Sequence, residues 1–201
     1  VTMGTNYSCT LSRSRNTGDL HLQGAYYTQT FGSEQGELVY LVNQLDATKT
    51  YAKAVNFNET DYFVERTFSL SGVQEVYDYT GSAINVCSVK LGDETLVAGT
   101  DYSISYTYNN AAAESVVAVG DYTMTVTLQG DYRGTLSASF AVMAVLPVDA
   151  TDDKLYTINN ADEWNRFVYE VNTKGETFSG KTISLAAENL TVTPATMVGT
   201  S

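Results

Sequence analysis

The sequence contains little of the chemistry on which enzymes and metal sites depend, with one histidine and two cysteines among 201 residues. His21 lies in a polar stretch, and no serine or cysteine stands in a recognisable nucleophile motif. Cys9 and Cys87 are far apart and lack the spacing of a zinc site. We therefore expect a protein that is not an enzyme and needs no cofactor. We expect its two cysteines to be buried thiols rather than a disulfide.

Basic residues are also scarce, since 11 lysines and arginines stand against 23 aspartates and glutamates, and the net charge is -12. Nucleic acids and anionic membranes both select for basic surfaces, so neither is an expected partner. The sequence has no apolar run of about 18 residues, and we expect no membrane insertion. Val1 opens the sequence without a basic or apolar leader. This favours a mature or excised fragment that lacks its signal peptide or anchor. Threonine, serine, asparagine and tyrosine are plentiful, as in secreted β proteins, so we expect an extracellular or cell-surface location.

What the sequence does contain is a regular alternation of apolar and polar residues. The tripeptide Gly-Asp-Tyr occurs twice, at 120–122 and 130–132. Apolar residues alternate with threonines over 122–128, and with serine, threonine and alanine over 136–142. A period of two residues predicts half-buried strands, and β-branched threonine suits their exposed side.

Turn signals at short intervals extend this pattern upstream. Candidate strands lie near Ile84–Leu91 and Tyr102–Tyr108, separated by glycine-aspartate turns, and this spacing predicts a β-sandwich. We interpret the two Gly-Asp-Tyr copies as turn residues of this architecture. In the alternative, Asp121 and Asp131 bind Ca²⁺ or form a catalytic pair. This alternative requires the carboxylates of Asp121 and Asp131, at opposite ends of one strand, to meet at the same ligand.

The segments YTGSAI, LVAGTDYSISYTYNN, VGDYTMTV and GDYRGTLSASFAV follow one another in the order found in a bacterial immunoglobulin-like repeat. The chain resembles this repeat over about Tyr77 to Met143. It departs from the repeat at Ala111–Ser115, where the family has a shorter glycine-containing link. The family is common in large surface proteins and adhesins of bacteria, Bacteroidales and Firmicutes among them. The resemblance implies an immunoglobulin-like sandwich over residues 73–144 and supplies no catalytic residues.

The first part of the chain, residues 1–71, is predicted as a separate β module. Leu45 and Tyr51 precede an alternating pattern in a way that resembles the tyrosine corner of fibronectin type III-like sandwiches. The resemblance implies that Tyr51 is buried and that its hydroxyl is bonded to backbone a few residues upstream. Ala47 stands where that family usually has proline, and the only tryptophan, Trp164, lies far away.

The period changes in the last part of the chain, residues 154–201. Asn160 and Glu163 have the spacing of a helix N-cap and its capping box, and Gly175 is placed to end the helix. Between them, apolar residues recur at helical spacing, at Trp164, Phe167, Val168 and Val171. A strand follows, and this order resembles the segment that opens right-handed β-helix regions of bacterial surface proteins. We predict a small α+β segment joined to the sandwich by a linker at 145–153.

These patterns together predict a mainly β fold. Tandem immunoglobulin-like and fibronectin type III-like β-sandwich modules are followed by a small α+β C-terminal segment. The acidic linker leaves one alternative open, Ca²⁺ binding between modules. Its ligands would be Asp149, Asp152 and Asp153.

Two functional hypotheses follow. In the first, the chain is a spacer or stalk of a bacterial adhesin-like protein, and its partner is the rest of that larger surface protein. In the second, it binds a host protein or a glycan, or it is an accessory module of a secreted polysaccharide-degrading enzyme. Tyrosine provides rigid contact area, and the candidate ligand residues are Tyr26, Tyr27, Tyr106 and Tyr108. A contiguous exposed aromatic patch would favour binding, whereas scattered, buried tyrosines would favour the spacer.

Overall fold

The computed structural model describes residues 25–27, 38–57, 59–186, 190–191 and 198–199. Over these residues the chain is mainly β, with a single α-helix, α1 (Ala161–Asn172). The predicted mainly β class is therefore confirmed, while the immunoglobulin-like and fibronectin-like character of the modules stays a prediction. The strands are β1 (Ala25–Tyr27), β2 (Leu38–Leu41), β3 (Tyr51–Phe57), β4 (Thr60–Glu65), β5 (Phe68–Ser71), β6 (Val76–Asp78), β7 (Ser88–Leu91), β8 (Glu94–Thr95), β9 (Tyr102–Tyr108), β10 (Ala111–Ala113), β11 (Gly120–Leu128), β12 (Tyr132–Arg133), β13 (Thr135–Met143), β14 (Leu155–Ile158) and β15 (Thr182–Leu185).

The strands of the described part form four sheets. Two sheets have five strands, in the orders β1-β2-β4-β3-β12 and β10-β9-β11-β13-β6, one has three, β5-β7-β8, and one has two, β14-β15. β6 runs parallel to β13 and β14 runs parallel to β15. β12 pairs with β3, Tyr132 opposite Ala52 and Arg133 opposite Tyr51. The first sheet therefore includes β12, which follows the predicted domain boundary at residues 71–73 in the sequence.

The chain divides into two compact units. The first comprises Val1–Gly72, Cys87–Ile104 and Thr125–Ser137, and the second comprises Val73–Val86, Ser105–Met124 and Ala138–Ser201. The predicted domain limits, 1–71, 73–144, 145–153 and 154–201, stay predictions.

The first unit is organised around Tyr51, which is 2% exposed. The backbone N–H of Asp46 donates to the Tyr51 hydroxyl at 3.1 Å, so the predicted burial and upstream hydrogen bond are both confirmed. Gly134 lies against the backbone just before β3, and a Cβ at this position would be 2.5 Å from the Lys49 carbonyl oxygen. Only glycine permits this approach of the two backbones. The buried apolar residues of this unit are Val39, Tyr51, Phe63, Val64, Phe68, Val89, Leu96, Tyr102, Val126 and Leu128.

The second unit has a core of aromatic and aliphatic residues. The Tyr122 ring stacks on Phe140 at 5.6 Å and lies 5.0 Å from the Tyr108 ring, and Tyr77 meets Phe140 edge-on at 5.3 Å. Its buried apolar residues are Tyr77, Val86, Val116, Tyr122, Met124, Phe140, Val142, Ala144, Ile158 and Val168.

The strand predictions are confirmed where a period of two is sustained. β9 has the predicted bounds, and β11 buries Tyr122, Met124, Val126 and Leu128 while the threonines between them are exposed or half-buried. The strand predicted near Ile84–Leu91 is wrong over its first half, because β7 begins at Ser88. The Ile84 N–H donates to the Val116 carbonyl, and the Val86 carbonyl accepts from the Tyr77 hydroxyl. The Ile84 N–H and the Val86 carbonyl therefore bond to groups that do not belong to the strands paired with β7.

Helix α1 begins as predicted. The Asn160 side chain accepts from the Glu163 N–H at 3.0 Å, which is the expected N-cap bond. The Glu163 carboxylate accepts from the N–H of Asn159 at 2.7 Å rather than from that of the cap residue itself. Gly175 has a φ of 73°, the left-handed conformation that favours glycine after a helix. Within the apolar stripe Val168 is buried, and the other three residues are half-buried.

Candidate functional site

The predicted ligand tyrosines do not form an exposed patch in the described part of the chain. Tyr106 and Tyr108 lie on β9 and are half-buried, and the Tyr108 hydroxyl donates to the Val119 carbonyl at 2.8 Å. Tyr26 and Tyr27 lie in β1, and their side chains fall outside the described part. Among the tyrosine side chains that the structure describes, only Tyr79 is exposed, at 45%.

The hydroxyls of the buried tyrosines Tyr77 and Tyr122 are bonded to backbone. Tyr77 donates to the Val86 carbonyl at 2.9 Å and accepts from the Gln74 N–H at 2.9 Å. Tyr122, in the first Gly-Asp-Tyr, accepts from the Ala118 N–H at 3.0 Å and donates to the Ala118 carbonyl at 3.1 Å. These side chains fix loops onto strands. Sequence reasoning identified this role for Tyr51 and missed it for Tyr77 and Tyr122, because no local pattern shows which backbone groups their hydroxyls meet.

The aspartates proposed for Ca²⁺ take part in turns. Asp149 Oδ1 accepts from the Thr151 N–H at 2.7 Å, the Thr151 hydroxyl at 2.6 Å and the Asp152 N–H at 3.1 Å. These bonds, the one from the Thr151 hydroxyl first, hold the pKa of Asp149 below its ordinary value. Asp152 accepts from the Lys154 N–H at 2.9 Å. The structure does not bring Asp153 into a shared site with them, since no group of three His, Cys, Asp or Glu side chains suited to a metal occurs within the described ranges.

The segment predicted as a linker is hydrogen-bonded to the strand that follows it. The Asp149 N–H donates to the Leu155 carbonyl at 2.9 Å, and the Thr157 N–H donates to the Pro147 carbonyl at 3.2 Å. Val148 forms an isolated antiparallel bridge with Tyr156. Residues 147–153 therefore fold back as a turn against β14.

Cys87 is half-buried rather than fully buried, and burial raises the pKa of its thiol. Cys9 lies outside the described residues. A raised thiol pKa lowers the thiolate fraction at neutral pH, which reduces the reactivity of a cysteine as a nucleophile.

A cleft of about 690 Å³ in the second unit is the strongest candidate site. It lies between β6 with its flanking residues on one side and α1 with the residue after its C-cap on the other. Side chains of opposite charge line it together with polar ones, among them Gln74, Glu75, Asp78, Arg166, Tyr169 and Lys174.

Arg166 connects the two sides of this cleft. Its Nη1 lies 2.6 Å from Asp78 Oδ1 on β6, and its Nε lies 2.6 Å from Glu170 Oε1 one turn along α1. Burial lowers the pKa of the guanidinium, but hydrogen bonds to Asp78 and Glu170 outweigh this effect and raise it. The side chain is only 17% exposed, so this ion pair network is fixed by the packing around it.

Two cations lie over the ring of Tyr169. The Arg166 guanidinium is 5.9 Å and the Lys174 ammonium 5.6 Å from the centre of its ring. The Tyr169 hydroxyl is buried and has no hydrogen-bond partner. A buried hydroxyl without a partner is uncommon, because its lost hydration is not replaced. Spacing along α1 is enough to predict the Arg166–Glu170 pair, but nothing in the local sequence predicts the contact with Asp78.

No protein-family model, curated protein or solved structure matches the chain. In the described part, no helix is both long enough and apolar enough to cross a membrane.

Proposed function

We propose that the chain is a non-enzymatic spacer of a bacterial cell-surface, adhesin-like protein. The observation that carries the proposal is the use of tyrosine in the described part. Tyr51, Tyr77 and Tyr122 are each at most 8% exposed and bond backbone through their hydroxyls. Tyrosines that fix loops internally stabilise a scaffold, whereas a tyrosine-rich binding face presents them to solvent.

Sequence features support the same proposal. The resemblance to a bacterial immunoglobulin-like repeat covers the middle of the chain, and that family is common in surface proteins. The acidic composition, with a net charge of -12, disfavours nucleic acid as a partner. The partner in this proposal is the rest of a larger exported protein, whose distal part the spacer holds away from the cell.

Binding to a host protein or glycan is the second candidate function, and the cleft beside α1 favours it. That cleft combines a buried hydroxyl without a partner and two cations on one ring. The same feature fits an accessory module of a polysaccharide-degrading enzyme, which would bind sugar without cleaving it.

Surface display tests the spacer. The chain is placed between a membrane anchor and a peptide epitope on bacterial cells, and a glycine-serine linker of equal length serves as the control. A folded spacer keeps the epitope attached under limited proteolysis that removes it from the linker control. The displayed chain should give cells no more adhesion to host-matrix proteins than the linker does. Rapid loss of the epitope, or a gain in adhesion, would contradict the proposal.

A further inference from the structure

We propose that the outer edge of β6 binds an extended peptide segment with basic side chains, which adds a strand to the sheet inside the cleft beside α1. The proposal does not rest on the spacer assignment, since a spacer can also carry a docking edge. Three features lead to it: the backbone groups on the outer side of β6, the cleft that borders them and the charges that line this cleft.

β6 is the last strand of its sheet, and in the described part it pairs only with β13. The Glu75 carbonyl accepts from β13 at 2.9 Å, and the Tyr79 N–H donates to β13 at 2.8 Å. Because neighbouring residues of a strand point their backbone groups to opposite sides, those of Val76 and Asp78 point away from β13. No other backbone group of the described part bonds to these two residues. Their N–H and C=O groups are therefore available to a further strand.

The cleft of about 690 Å³ gives room for such a strand. Val76 and Asp78 both line it, so their outward backbone groups border this space. Arg166 of α1 reaches Asp78 at 2.6 Å, which means that a long side chain spans the cleft at this point. A segment added at the usual strand spacing of about 4.8 Å would lie within the cleft. Strand addition to an edge is an established way of binding peptides, in which main-chain hydrogen bonds supply the affinity.

The charges around the cleft favour a basic segment. Asp78 and Glu170 both bond Arg166. The exposed side chains of Glu75 and Lys174 also line the cleft. Three carboxylates therefore stand against two cations, beside a helix C-terminus whose dipole is negative. The net charge of -12 attracts a basic partner at longer range as well.

A second copy of the chain is a poor occupant of this edge. Two-fold pairing of β6 with β6 would bring the carboxylates of Glu75 and Asp78 from both copies together. Each copy also carries a net charge of -12, so the copies repel each other. The occupant is therefore a basic segment of another protein. Since β6 has only three residues, few main-chain bonds can form, and the affinity is modest.

The test is a titration of the full chain at low salt with a capped peptide of alternating lysine and valine, about six residues long. Amide resonances of an isotope-labelled sample report the binding. We expect saturable shifts at β6 and α1, with a dissociation constant of about a millimolar. A glutamate-valine peptide of equal length should shift them at least about tenfold less, because its charge is repelled.

Methylation of the peptide backbone separates strand addition from simple charge attraction, since it removes N–H donors and keeps the lysines. A peptide methylated at alternate nitrogens retains one edge that can pair, and it should bind within about threefold of the parent. Methylation of every interior nitrogen blocks both edges and should weaken binding about tenfold or more. These peptides act on the unaltered chain, so they test the proposal whether or not a variant folds.

Variants locate the edge. Val76→Pro removes an N–H that points away from β13, a position where edge strands tolerate proline, and should weaken binding about tenfold or more. Glu75→Gln should weaken it about threefold. Glu114→Gln is the matched control, because it removes the same charge from an exposed glutamate of the same unit and should leave binding unchanged.

Several outcomes would overturn the proposal. These are no saturable shift, equal binding of the glutamate-valine peptide, undiminished binding of the fully methylated peptide, and an equal loss in the Glu114 control. Sedimentation of the chain alone tests the second copy. A dimer that Val76→Pro abolishes would show that β6 pairs with itself, and would also overturn the proposal.

Discussion

Removing the Tyr122 hydroxyl should destabilise the chain by about 2 kcal/mol. Tyr122 is 3% exposed, and its hydroxyl accepts from the N–H groups of Ala118 and Val117, at 3.0 and 3.3 Å, and donates to the Ala118 carbonyl. Tyr122→Phe keeps the ring in its stack on Phe140 and removes these bonds alone. A buried group left without its partner costs about 1–3 kcal/mol, and the middle of that range applies because the loop backbone is only partly buried.

The assay is urea and thermal unfolding followed by circular dichroism, in the transition that contains Tyr122. For a chain of this size, about 2 kcal/mol corresponds to a fall of roughly 4–8 °C in the midpoint. Tyr169→Phe is the matched control, since it deletes a buried hydroxyl that has no partner and should not lower stability. A loss below about 0.5 kcal/mol for Tyr122→Phe, or an equal loss in the control, would refute the structural role assigned to the tyrosines.

Other perturbations give further tests. Tyr51→Phe should cost about 1 kcal/mol in urea unfolding, because one hydrogen bond, from the Asp46 N–H, is lost; an unchanged midpoint would count against the tyrosine corner. Gly120→Ala should destabilise the chain, since φ is +147° and a Cβ would lie 2.5 Å from the Tyr108 ring; a neutral result would mean that this turn adapts freely. The pKa of Asp149 is lowered in the folded state. Its carboxylate therefore stabilises the fold fully above the ordinary pKa of 3.8, and this stabilisation is lost as the pH falls through the lower pKa of the folded state. Asp149→Asn should therefore make stability less dependent on pH in that acid range, and an identical pH profile would contradict the turn geometry. Millimolar Ca²⁺ or EDTA should leave the unfolding midpoint unchanged; a rise with Ca²⁺ would reveal a site, because a ligand of the native state stabilises it by mass action.

Sequence reasoning succeeded where local periodicity decides the structure. The bounds of β9, the buried face of β11 and the Asn160 cap all follow from residues close together in the chain. The Tyr51 hydrogen bond was expected from the resemblance to a tyrosine corner, a local motif whose bonded backbone lies close by, here five residues upstream.

The features that sequence reasoning missed depend on distant residues. Arg166 and Asp78 are 88 positions apart, and no local pattern indicates that they meet. β12 pairs with β3 from beyond a predicted module boundary, and its two residues are too few for a recognisable strand pattern. The cleft beside α1 was missed for the same reason, because its two sides, β6 and α1, are far apart in the sequence.

The most direct test of the spacer proposal is a binding survey of the purified chain against immobilised host-matrix proteins and glycans, with polysaccharide hydrolysis measured in parallel. We expect no hydrolysis and no saturable binding tighter than about 100 μM. Saturable binding of a host protein or a glycan at micromolar or lower concentration, or the cleavage of any polysaccharide, would contradict the spacer proposal.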